Sequence, residues 1–220
     1  MQNPFNARLI YYTIIGLGFS IYLHGFGVIW LFLMVAVNWV IGYFFAGKRG
    51  YPIFVWTLNL GFLLLAEYYN GFRFDMISDY LSRLDHFKGE MKWNHVGNLR
   101  MLNVVSFLVD WHWARQGKII SNREKHILSC PECTNEIICL RYRQETHSTE
   151  YSFLSFIAYF NYPPLYLAGP TTSYNAWISQ VRLPQQTYDT KRMFIYIVRF
   201  LIVCVFLEAS IHLSYFPAIG

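Results

Sequence analysis

The chain has 220 residues, 55% of them hydrophobic, 20% aromatic and only 14% charged, which excludes an ordinary soluble domain, where about a quarter of residues carry charge. Its formal net charge of +5 comes from 18 Lys and Arg against 13 Asp and Glu. The basic residues lie dispersed between apolar runs, which excludes a nucleic-acid surface built as a basic stripe on a polar fold. The class that remains is an all-α polytopic membrane protein, and the pattern predicts four crossing helices, a re-entrant segment and an amphipathic helix.

From Leu9 to Gly47 there is no Asp, Glu, Lys or Arg. A crossing takes about 20 apolar residues at about 1.5 Å each, so this run predicts two, joined at His24, Gly25, Phe26 and Gly27. A cleaved signal peptide is disfavoured, since Arg8 is the only basic residue ahead of the run and no small-x-small cleavage site follows it. A third span is predicted from Pro52 to about Tyr69. Next, between Asn94 and Ala114, the apolar run VVSFLV is bracketed by Arg100 and Asp110. An ionised side chain at mid-bilayer costs about 2.5–3.5 kcal/mol, so this helix must either face protein or lie partly in the interface. His112, between Trp111 and Trp113, is expected to anchor at the interface.

The polar loop from Arg115 to His147 is basic, as are the turn at Lys48 and Arg49 and the approach at Arg182, Lys191 and Arg192. All three are expected on the cytosolic side. The loop also holds His126, Cys130, Cys133, Cys139 and His147, with a single C-x-x-C pair. Zinc binding and reduced, S-acylated thiols are both open readings, and no metal site is assigned.

Tyr151 to Val181 again lacks Asp, Glu, Lys and Arg, but YPPLYLAGP interrupts it. Hydrocarbon holds no water to bond the backbone groups that such a break frees, so this backbone must pack in protein or line a cavity. If the flanking basic segments share a side, the stretch enters and leaves on that side. Tyr162, Pro163, Pro164, Tyr166, Gly169 and Pro170 are therefore the candidate lining of an acyl or lipid cavity, with a packed bend as the alternative. The last span, from Met193 to Phe216, carries Glu208 and His212 four residues apart and so on one face. Ionisable groups that deep mark a pathway or an interhelical hydrogen bond, and both join the candidate cavity set.

Three stretches together resemble a known family. EYSFLSFIAYFNYPPLYLAGPTTSYNAW (Glu150 to Trp177), NLRMLNVVSFLVDWHWA (Asn98 to Ala114) and FLEASIHLSYFPAI (Phe206 to Ile219) are similar, in sequence and order, to segments of the membrane-bound O-acyltransferases. The branch is the one containing hedgehog acyltransferase and the glycerol-uptake-named proteins of fungi. The resemblance implies a partial domain over 1–220, with 115–147 as a cytosolic loop, in an endoplasmic-reticulum enzyme that moves a fatty acyl group to a hydroxyl or amine acceptor. Acyl-CoA is the implied co-substrate and membrane lipid a partner; no other cofactor is expected, and the acceptor is left open. The family's catalytic histidine lies in a later apolar helix than the Glu208 and His212 span, so the expectation is that this chain lacks it and is inactive alone. No catalytic residue is nominated. The alternative is a non-catalytic membrane remnant or accessory protein with a transport-related or partner-binding role.

Overall fold

The computed structural model describes residues 2–117, 150–167, 172–182 and 189–214. It divides into two compact units, Met1–Leu183 and Pro184–Gly220. In the first unit the helices are α1 (Gln2–His24), α2 (Val28–Phe45), α3 (Tyr51–Tyr68), α4 (Trp93–Arg115), α5 (Phe153–Phe160) and α6 (Tyr174–Arg182). The second unit contributes α7 (Thr190–Ser214).

The connection predicted at His24 to Gly27 is present. Gly25 adopts φ 55° there, a left-handed conformation that glycine reaches without the Cβ penalty. A Cβ on Gly25 would also lie 2.2 Å from the Phe87 carbonyl oxygen, because the chain between α3 and α4 runs back against this turn. Phe26 N–H donates to Phe87 O at 3.2 Å and Met91 N–H to Leu23 O at 2.8 Å. Pro52 sits in the first turn of α3, where its missing N–H leaves no intrahelical bond unmade.

Among the described residues, three helices have the length and hydropathy to cross a bilayer: Val28–Phe45, Tyr51–Tyr68 and Thr190–Leu213. The protein is thus an integral membrane, all-α chain. The fourth expected crossing, α1, has the length, at 23 residues, but Asn6, Arg8 and its Tyr, Thr and Ser side chains dilute its hydropathy. Between α2 and α3 the buried amides of Asn38 and Asn59 bond reciprocally, at 3.1 and 2.8 Å, and each also donates to the carbonyl one turn back. Every amide hydrogen-bonding need is met within the pair and its own helices, as an apolar medium demands.

Of the two placements left open for α4, facing protein or lying partly in the interface, the structure shows the first: it is the central rod of the first unit, packed against α2, α3, α5 and α6. Val104, Phe107 and Leu108 are fully buried, and so nearly are Arg100, Asn103 and Asp110, while Leu99, Leu102 and Trp113 are exposed. Arg100, Asn103 and Asp110 point inward while Leu99 and Leu102 point outward, an arrangement that lipid rather than water selects. His112 is buried: its ring stacks on Tyr51 at 5.3 Å and its Nδ1 accepts from Gly47 N–H at 2.9 Å. Arg115 beside it donates to Tyr43 O at 2.8 Å, so the Lys48–Arg49 turn and the end of α4 meet at one end of the bundle.

Candidate functional site

α5 begins at a reciprocal cap. Ser155 N–H donates to Ser152 Oγ and Ser152 N–H to Ser155 Oγ, each at 3.1 Å, which satisfies two donors that a helix start leaves free. The helix stops at Phe160 because Pro163 and Pro164 follow. Proline has no N–H and pushes the residue before it out of helical geometry. Pro163–Leu165 then forms a single 3-10 turn.

The carbonyls orphaned by this break are met by one side chain. Arg100 donates through Nη2 to Tyr159 O at 3.0 Å and to Phe160 O, and through Nη1 to Leu165 O at 2.9 Å. Its guanidinium lies 5.5 Å from the Phe160 ring centroid and 5.2 Å from that of Tyr166. A delocalised cation with forked donors suits this place, since several carbonyls converge there and a helix C-terminus carries partial negative charge.

The start of α6 is held from the same rod by the opposite charge. Asp110 Oδ2 accepts from Asn175 N–H and Ser106 Oγ from Tyr174 N–H, both at 3.1 Å. α4 thus presents a cation to the C-terminus of α5 and a carboxylate to the N-terminus of α6, each matched to the local helix dipole. Between them Phe107 stacks on Phe156 at 4.1 Å and meets Tyr174 edge-on at 4.6 Å.

The other support is α1. A Cβ on Gly16 would lie 2.2 Å from Asn161 O, so only glycine allows the approach. Ser20 Oγ lies 2.8 Å from Asn161 Oδ1. Near the start of α1, Arg8 donates to Val181 O at 2.8 Å; near its end, Tyr166 packs on Phe19 at 5.8 Å and His24 at 5.9 Å. Residues 8 and 24 are about 24 Å apart along a helix, at about 1.5 Å per residue. The broken segment therefore travels most of the length of α1. Its two ends come back together, with Arg182 paired to Glu150 at 2.7 Å and Tyr151 Oη donating to Asn175 Oδ1 at 3.0 Å. The charged residues that flank the charge-free stretch, Glu150 and Arg182, are therefore neighbours in the fold.

Of the candidate lining, Tyr166 is buried, Tyr162 half-buried between Tyr12 (5.1 Å) and Trp177 (5.7 Å), Pro163 half-buried and Pro164 exposed. Gly169 and Pro170 lie outside the described residues. Glu208 and His212 share a face of α7, with His212 Nε2 and Glu208 Oε1 2.9 Å apart; α7 belongs to the second unit, so the set falls on two units. The cysteine and histidine loop, with Cys130, Cys133, Cys139, His126 and His147, lies outside the described residues, and no metal-binding cluster occurs among those described. Sequence reasoning missed the clamp formed by Arg100 and Asp110. Its signal was in view: two charges ten residues apart on a helix that had no other reason to carry them.

The segment Tyr151–Val181 is thus bonded by α4 and α1. Of its apolar residues, Phe153, Pro164 and Leu167 are exposed. Residues 40–220 match the family described as MBOAT, membrane-bound O-acyltransferase family. Membrane-bound O-acyltransferase gup1 of Schizosaccharomyces pombe is 28% identical over 207 residues, covering 92% of this chain and 35% of the relative. Membrane-bound O-acyltransferase GUP1 of Saccharomyces cerevisiae is 26% identical over 225 residues, covering 97% and 39%; GUP2 of the same yeast is 26% identical over 226 residues, covering 93% and 37%. The chain spans between a third and two fifths of the length of these relatives. No solved structure gives a significant match.

Proposed function

The chain belongs to the membrane-bound O-acyltransferase family, and from that premise we propose that it forms the acyl-donor portion of an integral membrane acyltransferase. In this reading the exposed apolar residues of the broken segment line the passage for the fatty chain of acyl-CoA. The observation that carries it is a broken helix whose backbone is held by protein while apolar residues stay exposed: Arg100, Ser106 and Asp110 of α4 bond its backbone, Gly16 and Ser20 of α1 contact Asn161, and Phe153, Pro164 and Leu167 remain exposed. Non-helical backbone inside a membrane is tolerated where it is packed in protein or lines a cavity.

The basic residues Lys48, Arg49, Arg115 and Arg182 support a cytosolic placement of the hairpin base, where the anionic CoA group of the donor resides. The family resemblance supports the endoplasmic reticulum as location, membrane lipid as surroundings, and a hydroxyl or amine as acceptor. To test the reading, the chain is reconstituted in phosphatidylcholine nanodiscs and titrated with radiolabelled palmitoyl-CoA. Saturable binding that is competed by unlabelled donor and weakened by Arg100→Met is the expected result. Absence of saturable binding, or binding indifferent to that substitution, contradicts it.

A further inference from the structure

At the end of the bundle remote from Arg115, α2 begins at Val28 and α3 ends at Tyr68, the boundaries of two helices with the length and hydropathy to cross the bilayer. The chain from Tyr69 to Lys92 joins α3 to α4 at this end through two short 3-10 turns, Phe74–Met76 and Leu81–His86. We propose that this connection is a membrane-surface anchor: its exposed apolar side chains sink into the headgroup and acyl boundary of the same bilayer, and its partner is phospholipid. The proposal rests on the two crossings and is independent of the donor reading.

Ring contacts fix the depth of the connection. Phe72 meets Phe62 edge-on at 5.7 Å, and Phe62 stands six residues before the end of α3, about 9 Å down the helix axis. Helical side chains lean toward the N-terminus, which for α3 carries the Phe62 ring deeper still. Phe74 stacks at 5.3 Å on Trp30, in the first turn of α2. At the far end of the connection Phe87 packs on Phe26 at 5.2 Å, and the main-chain bond from Met91 N–H to Leu23 O ties it to the last turn of α1. Both ends of the connection are thus held level with the terminal turns of the helices, so what it exposes between them stands at the membrane surface and not far out in water.

What it exposes is apolar and aromatic. Met76, Ile77, Tyr80 and Phe87 are exposed, Ile77 at 62% and Tyr80 at 79%. Tyr22, Tyr68 and Tyr69 are exposed at the same end, and amphipathic rings collect at headgroup level in this manner. The main chain is prepared for a place with little water: the Asp85 carboxylate accepts from Phe74 N–H at 3.1 Å and Asp75 N–H at 3.0 Å, while Met76 and Ile77 N–H bond to Arg73 O and Phe74 O within the turn. From Tyr69 to Lys92 there are four basic and four acidic residues. Their charges cancel, so the attraction comes from apolar burial and asks for no anionic lipid. The exposed patch continues the lipid-facing surface of α3, where Leu64 and Leu65 are exposed, and this continuity selects lipid over a second protein as its cover.

The test uses the 220-residue chain, freed of its four native cysteines, in phosphatidylcholine nanodiscs. A nitroxide is attached at Ile77→Cys or at Tyr80→Cys, with Thr57→Cys in α3 as the deep reference and Arg49→Cys at the opposite end as the aqueous one. Each substitution replaces an exposed side chain. Relaxation by dissolved oxygen and by a water-soluble nickel chelate is read by electron paramagnetic resonance, and the ratio of the two gives depth. Both test labels are expected about 5–10 Å into the headgroup and acyl boundary, shallower than Thr57, which lies about 16 Å from the end of α3. Because the charges of the connection cancel, replacing part of the lipid with phosphatidylserine should leave both depths unchanged. Nickel access at the two test sites equal to that at Arg49→Cys would place the connection in water, and immobilised labels reached by neither reagent would mean that another protein covers it. Either result overturns the proposal, as does a depth seen only with the anionic lipid.

Discussion

Arg100 and Gly16 carry most of the weight at the scale of single residues. Arg100→Met leaves the carbonyls of Tyr159, Phe160 and Leu165 without donors, at about 1–3 kcal/mol for each buried group left unsatisfied. We expect thermal unfolding in detergent to show a destabilisation of several kcal/mol, with Arg100→Lys recovering only part, because an ammonium lacks the planar fork. Gly16 and Gly18 give a paired prediction of opposite sign. A Cβ on Gly16 strikes the Asn161 backbone, whereas one on Gly18 meets nothing within 4 Å. Gly16→Ala should lower the melting temperature, and Gly18→Ala should raise it through a helix-propensity gain of about 1 kcal/mol. The i,i+4 contact of Glu208 with His212 was legible in the sequence because helical spacing alone dictates it. The partner of Arg100 was not: it is the main chain some sixty residues away, which leaves no side-chain signature.

The elements divide in the same manner. Breaks were readable, since glycine and proline act through local backbone geometry, and the connection at Gly25 and the turn at Pro163 stand where those residues put them. Which of its two open placements α4 takes was not. A sequence pattern gives the polar and apolar faces of a helix but not which of them meets lipid, and here the polar face carries Arg100, Asn103 and Asp110 into the core. The pairing of Glu150 with Arg182, the charges that bracket the charge-free stretch, gives the re-entrant path a geometric basis. Side-specific labelling of single cysteines in a background lacking the four native ones checks it. Arg49→Cys, Gln116→Cys and Arg182→Cys should react from one face and Asp79→Cys from the other; Arg182→Cys reacting with Asp79→Cys would mean that the segment crosses completely.

For the whole molecule, membership in the acyltransferase family rests on residues 40–220, and the similarity to the yeast relatives extends over nearly all of the chain. We expect the reconstituted chain to bind palmitoyl-CoA without transferring its acyl group to lipid or amine acceptors above background; transfer abolished by His212→Ala would place the chemistry on α7, where His212 pairs with Glu208. The most direct measurement of the central claim is photo-crosslinking with a palmitoyl-CoA analogue bearing a diazirine in its acyl chain, mapped by peptide mass spectrometry. The account predicts labelling concentrated at Phe153 to Leu167 and suppressed by unmodified palmitoyl-CoA. Labelling spread evenly over α2, α3 and α7 and indifferent to competitor would contradict it, and would reduce the broken segment to a packed bend in a lipid-embedded scaffold.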